Sequence, residues 1–354
     1  MKIYLVGFKA NTKKKYKKLY SYWYITQNTK HLGDQFKKDL EEGYEIFLDS
    51  GAFTAWKQGV EIDIYKYIDF IKQHPQIKVY SNLDVVSKSF IDKRSAAEQS
   101  KANMDIMEKA GLKPLAVFHY GEPLEYLKYY IEKYDYIALG GMVGESTKHI
   151  LPWIDACFEY ICNKDGSPKV KIHSFGMTSV TLLNKFPFYS ADSSSWLNSV
   201  YGKIPIPKQR KGEWDYSLVP LELSVSSQKD TGLNLKNLYG YKRDLIIGYI
   251  KSRGYKMGKS EIITVGDDYE LQENERFIRH YKGPGKKVDR VIEKGIVNDT
   301  DLRAAFYADY FESLENWYNE HPVKYRFQKK KMRPLFWGFD EEIEINVGGV
   351  NENQ

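Results

Sequence analysis

Short apolar runs rich in β-branched and aromatic residues alternate with stretches of helical periodicity through the first half of the chain. That alternation marks β-α-β units around a parallel sheet. The strand pattern falls near Ile3–Phe8, Glu45–Leu48, Lys78–Leu83, Pro114–Phe118, Tyr136–Leu139, Val170–His173 and Phe188–Ala191. The helical pattern falls near Gly33–Glu42, Asp63–Gln73, Asp92–Ala110, Glu122–Lys133, Thr147–Asn163 and Thr178–Lys185. Asp92 and Thr178 suit N-caps, and Gly43 and Gly111 stand where a glycine ends a helix. An eighth strand is expected at Ser217–Leu223 or Glu261–Val265. The repeats predict a (β/α)8 TIM-type barrel with a long loop insertion after strand seven and extra C-terminal helices.

Beyond Trp196 the pattern loosens, and Pro205, Pro207, Lys208, Arg210 and Lys211 mark a long loop over or beside the barrel mouth. Helices are expected near Leu235–Arg253, Glu270–Tyr281 and Asp299–Asn319, and the chain from Val347 onward reads as a frayed tail. Residues 1–225 are thus expected to form the barrel core, with 226–354 a helical, basic extension packed on it. Gly258-Lys259-Ser260 superficially fits a phosphate-binding loop. Gly254 is one position too close for that template and no clear strand precedes it, so no nucleotide site is expected there.

Of 354 residues, 42% are apolar and 28% charged, an ordinary globular balance. Apolar runs fall far short of the roughly 20 residues that cross a bilayer, so no membrane span is expected. The N-terminus runs into Lys9, not a small-residue cleavage site, and reads as a first strand of a cytoplasmic protein. Cys157 and Cys162 lie five apart on a predicted helix and face different ways, which argues against a disulfide or a cysteine-rich zinc site.

The excess of 53 basic over 47 acidic residues, +6, does not by itself diagnose a nucleic-acid partner. Its distribution is more telling. Lys9, Lys13, Lys14, Lys15, Lys17 and Lys18 crowd one segment; Lys324, Arg326, Lys329, Lys330, Lys331 and Arg333 crowd another. Interleaved Tyr16, Tyr20, Tyr22, Trp23, Tyr325, Phe327 and Trp337 could stack on bases, the alternative being ordinary solvated faces.

Catalytic groups of such barrels stand at the carboxyl ends of the strands. Here those ends read Asp49-Ser50-Gly51, Asp84, His119-Tyr120-Gly121, Gly140-Gly141, His173-Ser174-Phe175-Gly176 and Asp192-Ser193. One aspartate after a strand is usually a helix cap or turn; six polar or glycine ends at matching positions point to a site. Two carboxylates suffice for glycosidic exchange or hydrolysis, one at the anomeric carbon and one handling the leaving group's proton. A third, accepting only, matches the adjacent N–H and amino group on the edge of guanine. Gly140 and Gly141 would let backbone approach a flat ligand, and Phe53, Tyr80, Tyr120, Met142 and Phe175 could sandwich it; for any single aromatic, barrel packing is the commoner role. His119 and His173 could be site residues, though a lone strand-end histidine is more often a satisfied polar core group, and no metal-ligand spacing is present.

Leu48-Asp49-Ser50-Gly51-Ala52-Phe53 resembles the Asp-Ser-Gly-Gly-Phe-Gln motif of tRNA-guanine transglycosylases, and Leu83-Asp84 falls one strand later, where that family keeps a base-reading aspartate. Ala138-Leu139-Gly140-Gly141-Met142-Val143-Gly144-Glu145 is similar to its Gly-Gly-Leu-Ala-Val-Gly-Glu loop, shortened by one. His173-Ser174-Phe175-Gly176 resembles the segment before its nucleophile, and Ala191-Asp192-Ser193 takes the place of Phe-Asp-Cys. Order and spacing match across about residues 44 to 196. The family's Cys-x-Cys-x-x-Cys zinc cluster is absent, Ser194-Ser195-Trp196 replaces Pro-Thr-Arg, Thr54 replaces a glutamine, and His119 stands where a base-contacting glutamine is expected. In these departures the chain resembles phage-encoded relatives that exchange guanine in DNA for a 7-deazaguanine.

The resemblance implies that Asp192 attacks C1′ of deoxyribose, that Asp49 serves as general acid then base, and that Asp84 binds the heterocycle's N–H edge. His119, Gly140, Gly141, Met142, Phe53, Phe175 and His173 would complete the base site. It implies DNA and a 7-deazaguanine such as 7-cyano-7-deazaguanine as substrates, guanine as product, no cofactor and no zinc, and, for a phage protein, the host cytoplasm. Lys13, Lys14, Lys15, Lys203, Lys208, Arg210 and Lys211 are the candidate phosphate contacts. The alternatives are exchange on tRNA, release of the base to water, and a barrel that binds nucleic acid without catalysis.

Overall fold

Eight parallel strands form one curled sheet: β1 (Lys2–Val6), β2 (Lys18–Ser21), β3 (Ile46–Asp49), β4 (Val79–Tyr80), β5 (Ala116–His119), β6 (Tyr136–Gly140), β7 (Lys171–Ser174) and β8 (Ser190–Ser193). The structure is a computed structural model and describes all residues except 10–15, 28–29, 88–92, 229–232, 279–282 and 328–354. The strand order is β4-β3-β2-β1-β8-β7-β6-β5. The two edges, β4 and β5, meet through one bridge between Ser81 and Leu115, where Leu115 N donates to Tyr80 O at 2.8 Å and Asn82 N to Leu115 O at 2.9 Å. The arrangement is TIM-like, with no continuous ladder closing the ring among the described residues.

Helices cover the outer face: α1 (Tyr22–Thr26) and α2 (Lys30–Glu41) before β3, α3 (Ala52–Lys57) and α4 (Ile64–Gln73) before β4, then α5 (Lys93–Lys109), α6 (Leu124–Lys133), α7 (Thr147–Ile161) and α8 (Val180–Leu183). β1, β3, β5 and β6 are buried along most of their length and read as near-continuous apolar runs. Tyr4, Leu19, Phe47, Leu115, Val117 and Ala138 fill the interior. Their immediate neighbours Leu5, Leu48, Ala116, Phe118, Ile137 and Leu139 meet the helices. This period of two carries the interior face from Phe47 to Asp49, from Val117 to His119 and from Ala138 to Gly140 at the carboxyl ends. Gly43 and Gly111 end α2 and α5 with φ of +72° and +85°, as their positions predict.

The eighth strand is neither of the two expected. It is β2, inside the lysine-rich segment, and its cationic Lys18 is buried beneath α2, where Nζ lies 2.6 Å from Asp39 Oδ2. A short strand carrying a lysine on its helix-facing side has no apolar alternation to read; the buried ion pair makes it possible. Ser217–Leu223 contributes instead to β12 (Leu221–Ser224), which pairs antiparallel with β9 (Lys203–Ile206). Glu261–Val265 lies in β13 (Lys259–Val265), which with β14 (Glu275–Phe277) and β15 (Lys286–Glu293) forms a separate antiparallel sheet. The expected helix at Glu270–Tyr281 is therefore overturned over its described residues. The expected long loop is largely a second ribbon, β10 (Lys208–Arg210) with β11 (Glu213–Asp215), beside the β9–β12 pair.

Two C-terminal helices follow, α9 (Gly240–Ser252) and α10 (Thr300–Glu320). Asp299 caps α10 by accepting from Leu302 N at 2.8 Å. Ala304, Tyr307, Ala308, Phe311 and Leu314 of α10 share one apolar cluster with Ile3, Leu5 and Phe8. Glu315 accepts from Ile3 N at 2.8 Å. α10 thereby covers the β1 flank that a helix following β8 covers in a regular barrel. Thr178 does not cap α8; Ser179 holds that position without a side-chain hydrogen bond, and the Asp92 cap lies outside the described residues. No helix of the described residues is long and apolar enough to cross a membrane.

Candidate active site

Asp49 ends β3, Asp84 follows β4, and Asp192 lies near the end of β8. Three strands separated in sequence deliver these carboxylates to one mouth. The charges of Asp84 and Asp192 both act on Asp49: burial first, then those two neighbours, push its carboxyl up to about 7. Gly51 N donates to Asp49 Oδ2 at 3.0 Å and tempers the rise. Gly51 itself has φ of +79°, and a Cβ there would sit 2.3 Å from Ser21 Oγ, so only glycine makes this turn.

Asp84 is held on both oxygens. Ser50 Oγ donates to Oδ1 at 2.9 Å and His119 Nε2 lies 2.9 Å from Oδ2. His119 Nδ1 lies 3.2 Å from Glu122 Oε1, and its backbone N donates to Glu122 Oε2 at 2.8 Å. Burial opposes the imidazolium charge, but Glu122 and Asp84 overcome it and raise His119 to about 10. Burial likewise opposes the Asp84 charge, and the His119 and Ser50 contacts outweigh it, holding the carboxyl below its ordinary range. Asp84 is thus a fixed, ionised acceptor.

Asp192, only 6% exposed, takes two donors on one oxygen. Gly176 N donates to Oδ1 at 2.7 Å, and His173 Nε2 lies 3.2 Å from the same atom. His173 is fully buried, and burial lowers its pKa despite the pull of Asp192. Its ring packs on Phe47 at 4.7 Å and on Phe175 at 4.5 Å between centroids. The two histidines beside these aspartates are shifted in opposite directions, His119 toward its charged form and His173 toward its neutral form, and Asp49 feels both acids.

Of the remaining expected residues, Phe175 joins this mouth, partly exposed above the interior cluster. Gly140 and Gly141 are there too, with a structural reason of their own. A Cβ on Gly140 would lie 2.9 Å from Val117 Cγ1 and 3.0 Å from His119 Cδ2; one on Gly141 would lie 3.2 Å from His119 Cβ. They make room for His119. Met142 is buried in the outer apolar cluster, not in the mouth. Phe53 lies on α3, 6.2 Å from the Trp56 ring and under the Lys57 amine.

Lys13, Lys14 and Lys15 lie outside the described residues, as do Lys329, Lys330, Lys331, Arg333 and Trp337. Lys203 is partly buried in β9; Lys208, Arg210 and Lys211 are exposed on the β10–β11 hairpin, with Arg210 Nε 2.8 Å from Asp215 Oδ2. That hairpin is anchored to α9 and α10. Trp214 packs on Tyr249 at 4.4 Å, and Tyr216 packs on Tyr310 and Trp317 of α10. Burial of these rings fixes its place. Tyr16, Tyr20, Tyr22, Trp23 and Tyr325 are all buried and cannot stack on bases, whereas Phe327 is exposed.

Sequence reasoning missed Glu122, Ser190 and Tyr136 as parts of this site, and gave Ser50 no role of its own. Ser190 and Asp192 are two apart on one strand and therefore share a face, a signal that was there to read. Glu122 sits three residues after His119, where a chain turning off a strand brings a carboxylate back. A cavity of about 500 Å³ lies elsewhere, lined by Met1, Asp135, Lys171, Phe188 and Tyr189 at the amino ends of the strands, opposite the carboxylates. No protein-family model matches this chain, and no curated protein matches its sequence.

Proposed function

We propose that this protein is a DNA-guanine transglycosylase that exchanges guanine for a 7-deazaguanine such as 7-cyano-7-deazaguanine, by double displacement. The observation that carries the reading is the meeting of Asp49, Asp84 and Asp192 in three distinct settings: one carboxyl poised near 7, one held ionised by a histidine, one pinned through a single oxygen.

In the first displacement an oxygen of Asp192 bonds to C1′ as the C1′–N9 bond breaks. The electron pair leaves with guanine, which takes the Asp49 proton. In the second, the Asp49 carboxylate removes the N9 proton of the incoming base, whose nitrogen bonds to C1′ as the ester bond breaks and Asp192 is restored. Two inversions at one carbon retain the β-configuration. A proton carrier titrating near 7 gives and takes with comparable ease at neutral pH. Asp84 accepts from the N–H and amino groups on the purine edge, and His119, with both ring nitrogens engaged by carboxylates, acts by holding Asp84.

A base inside a duplex must be flipped or already unpaired, at a cost of a few kcal/mol. The deciding experiment incubates the protein with labelled guanine, or with candidate deazaguanines followed by nucleoside mass spectrometry, on DNA and bulk tRNA side by side. Incorporation into DNA is expected. Incorporation only into tRNA moves the substrate, abasic sites without incorporation mean hydrolysis, and neither, on DNA or tRNA, means a binding barrel. Asp192→Asn is expected to reduce exchange by about 10³-fold or more while leaving DNA affinity nearly unchanged; exchange at the wild-type rate removes the nucleophile assignment.

A further inference from the structure

Behind Asp192 a row of polar groups runs on from His173 into the sheet. His173 Nδ1 lies 2.7 Å from Ser190 Oγ, and Ser190 Oγ lies 2.5 Å from Tyr136 Oη. They belong to β7, β8 and β6, and Ser190 and His173 are register partners across neighbouring strands. Tyr4, Phe47 and Phe175 all pack on His173, and both His173 and Ser190 are fully buried. Groups so buried keep one arrangement because any unmade hydrogen bond costs about 1–3 kcal/mol.

With the fully buried His173 imidazole neutral, the form its burial favours, only one direction satisfies the whole row. Asp192 Oδ1 already accepts from Gly176 N, and an ionised carboxylate has no proton to give, so His173 Nε2 carries the hydrogen between them. A neutral imidazole then has a bare Nδ1, which must accept from the Ser190 hydroxyl. Ser190 Oγ in turn accepts from the Tyr136 hydroxyl. We propose that Tyr136, Ser190 and His173 form a one-way hydrogen-bond chain that positions Asp192, fixing its Oδ1 and leaving Oδ2 as the attacking oxygen. No described residue donates to Oδ2.

The consequence for the exchange follows from charge. Pinning one oxygen sets the rotation of the carboxylate, so the free lone pair is aimed before substrate arrives. A neutral donor also leaves Asp192 more nucleophilic than an imidazolium would. In the covalent intermediate Oδ1 becomes the ester carbonyl, and the same two donors stabilise the charge that returns to it when the second base attacks. Tyr136, Ser190 and His173 are positioning residues; none need touch the base.

This inference rests on the transglycosylase reading for its kinetic arm only. The structural arm is the tautomer of His173, measured by ¹⁵N NMR of histidine-labelled protein, with the resonance assigned by its loss in His173→Gln. At pH 7 the neutral tautomer protonated at Nε2 is expected in the wild type; an imidazolium, or a proton on Nδ1, overturns the proposal. Ser190→Ala and Tyr136→Phe should each lower kcat, Ser190→Ala on the order of 10- to 100-fold as for other supporting-shell partners, with KM changed less than about twofold. Ser190→Thr should recover most of the loss. Wild-type kcat in both Ser190→Ala and Tyr136→Phe overturns it as well. A wild type that exchanges no base on DNA or tRNA defeats the proposed function instead, and the tautomer then still decides whether the chain of hydrogen bonds exists.

Discussion

His119–Asp84 and His173–Asp192 are the same two residue types at the same end of one barrel, and they do opposite things. His119 has carboxylates on both ring nitrogens, which favour its charged form; His173 has one carboxylate and one hydroxyl and is fully buried, which favours its neutral form. The second partner decides. A carboxylate at Nδ1 stabilises the imidazolium enough to outweigh desolvation, whereas a serine hydroxyl does not. The first pair therefore makes a permanently ionised acceptor, suited to reading N–H donors. The second makes an aligned but unneutralised carboxylate, suited to bonding carbon. Asp49, which has no histidine at all, keeps its proton to about 7.

The largest expected effect comes from the acid that lacks a histidine. Asp49→Asn should cut exchange by about 10²- to 10⁴-fold, the usual range for a lost general acid–base, and remove the limb of the kcat profile near pH 7. A profile unchanged in shape would take the proton-carrying role away from Asp49.

Next comes Glu122→Gln, which gives His119 the neutral kind of second partner that His173 has. The pKa of His119 should fall from about 10 toward its ordinary value, and KM for the incoming base should rise about 10- to 100-fold as Asp84 loses its fixed charge state. An NMR titration of His119 that still ends near 10 would break the comparison.

Gly140→Ala should disturb only the first pair, because the new methyl meets Val117 and His119. A destabilisation of about 1–3 kcal/mol in denaturant unfolding is expected, with the His173 resonance unmoved. The smallest effect concerns pH. The folded pKa of His119 lies above its unfolded value, so its stabilisation is complete below about 6.5 and is lost as pH rises toward about 10. The wild-type Tm should therefore fall by about 2–4 °C more than that of Glu122→Gln between pH 7 and pH 10; parallel curves would deny the charge on His119.

Much of this was legible in the chain. Seven of the eight strands announce themselves because the segments in or leading into them are mostly apolar, as strands covered on both faces tend to be. The three aspartates are visible because each interrupts such a run at its carboxyl end. β2 is invisible for the converse reason: Lys18 reads as solvated loop until Asp39 of α2 is placed over it. Tyr16, Tyr20, Tyr22 and Trp23 look like stacking surfaces beside lysines, and tertiary packing puts them in the core. Gly140 and Gly141 are evident as glycines, but what they make room for, a histidine ring from the next strand, is not.

Taken alone, the sequence determined which residues alternate inward, and hence that Asp49, His119, Gly140, His173 and Asp192 end up on the interior side of a parallel sheet. Those are consequences of a local period of two. Which histidine is charged, which oxygen of Asp192 is free and which acid keeps its proton were decided only by tertiary structure. Protonation depends on the distance to partners on other strands and on the water they displace, and neither quantity exists until the strands are assembled.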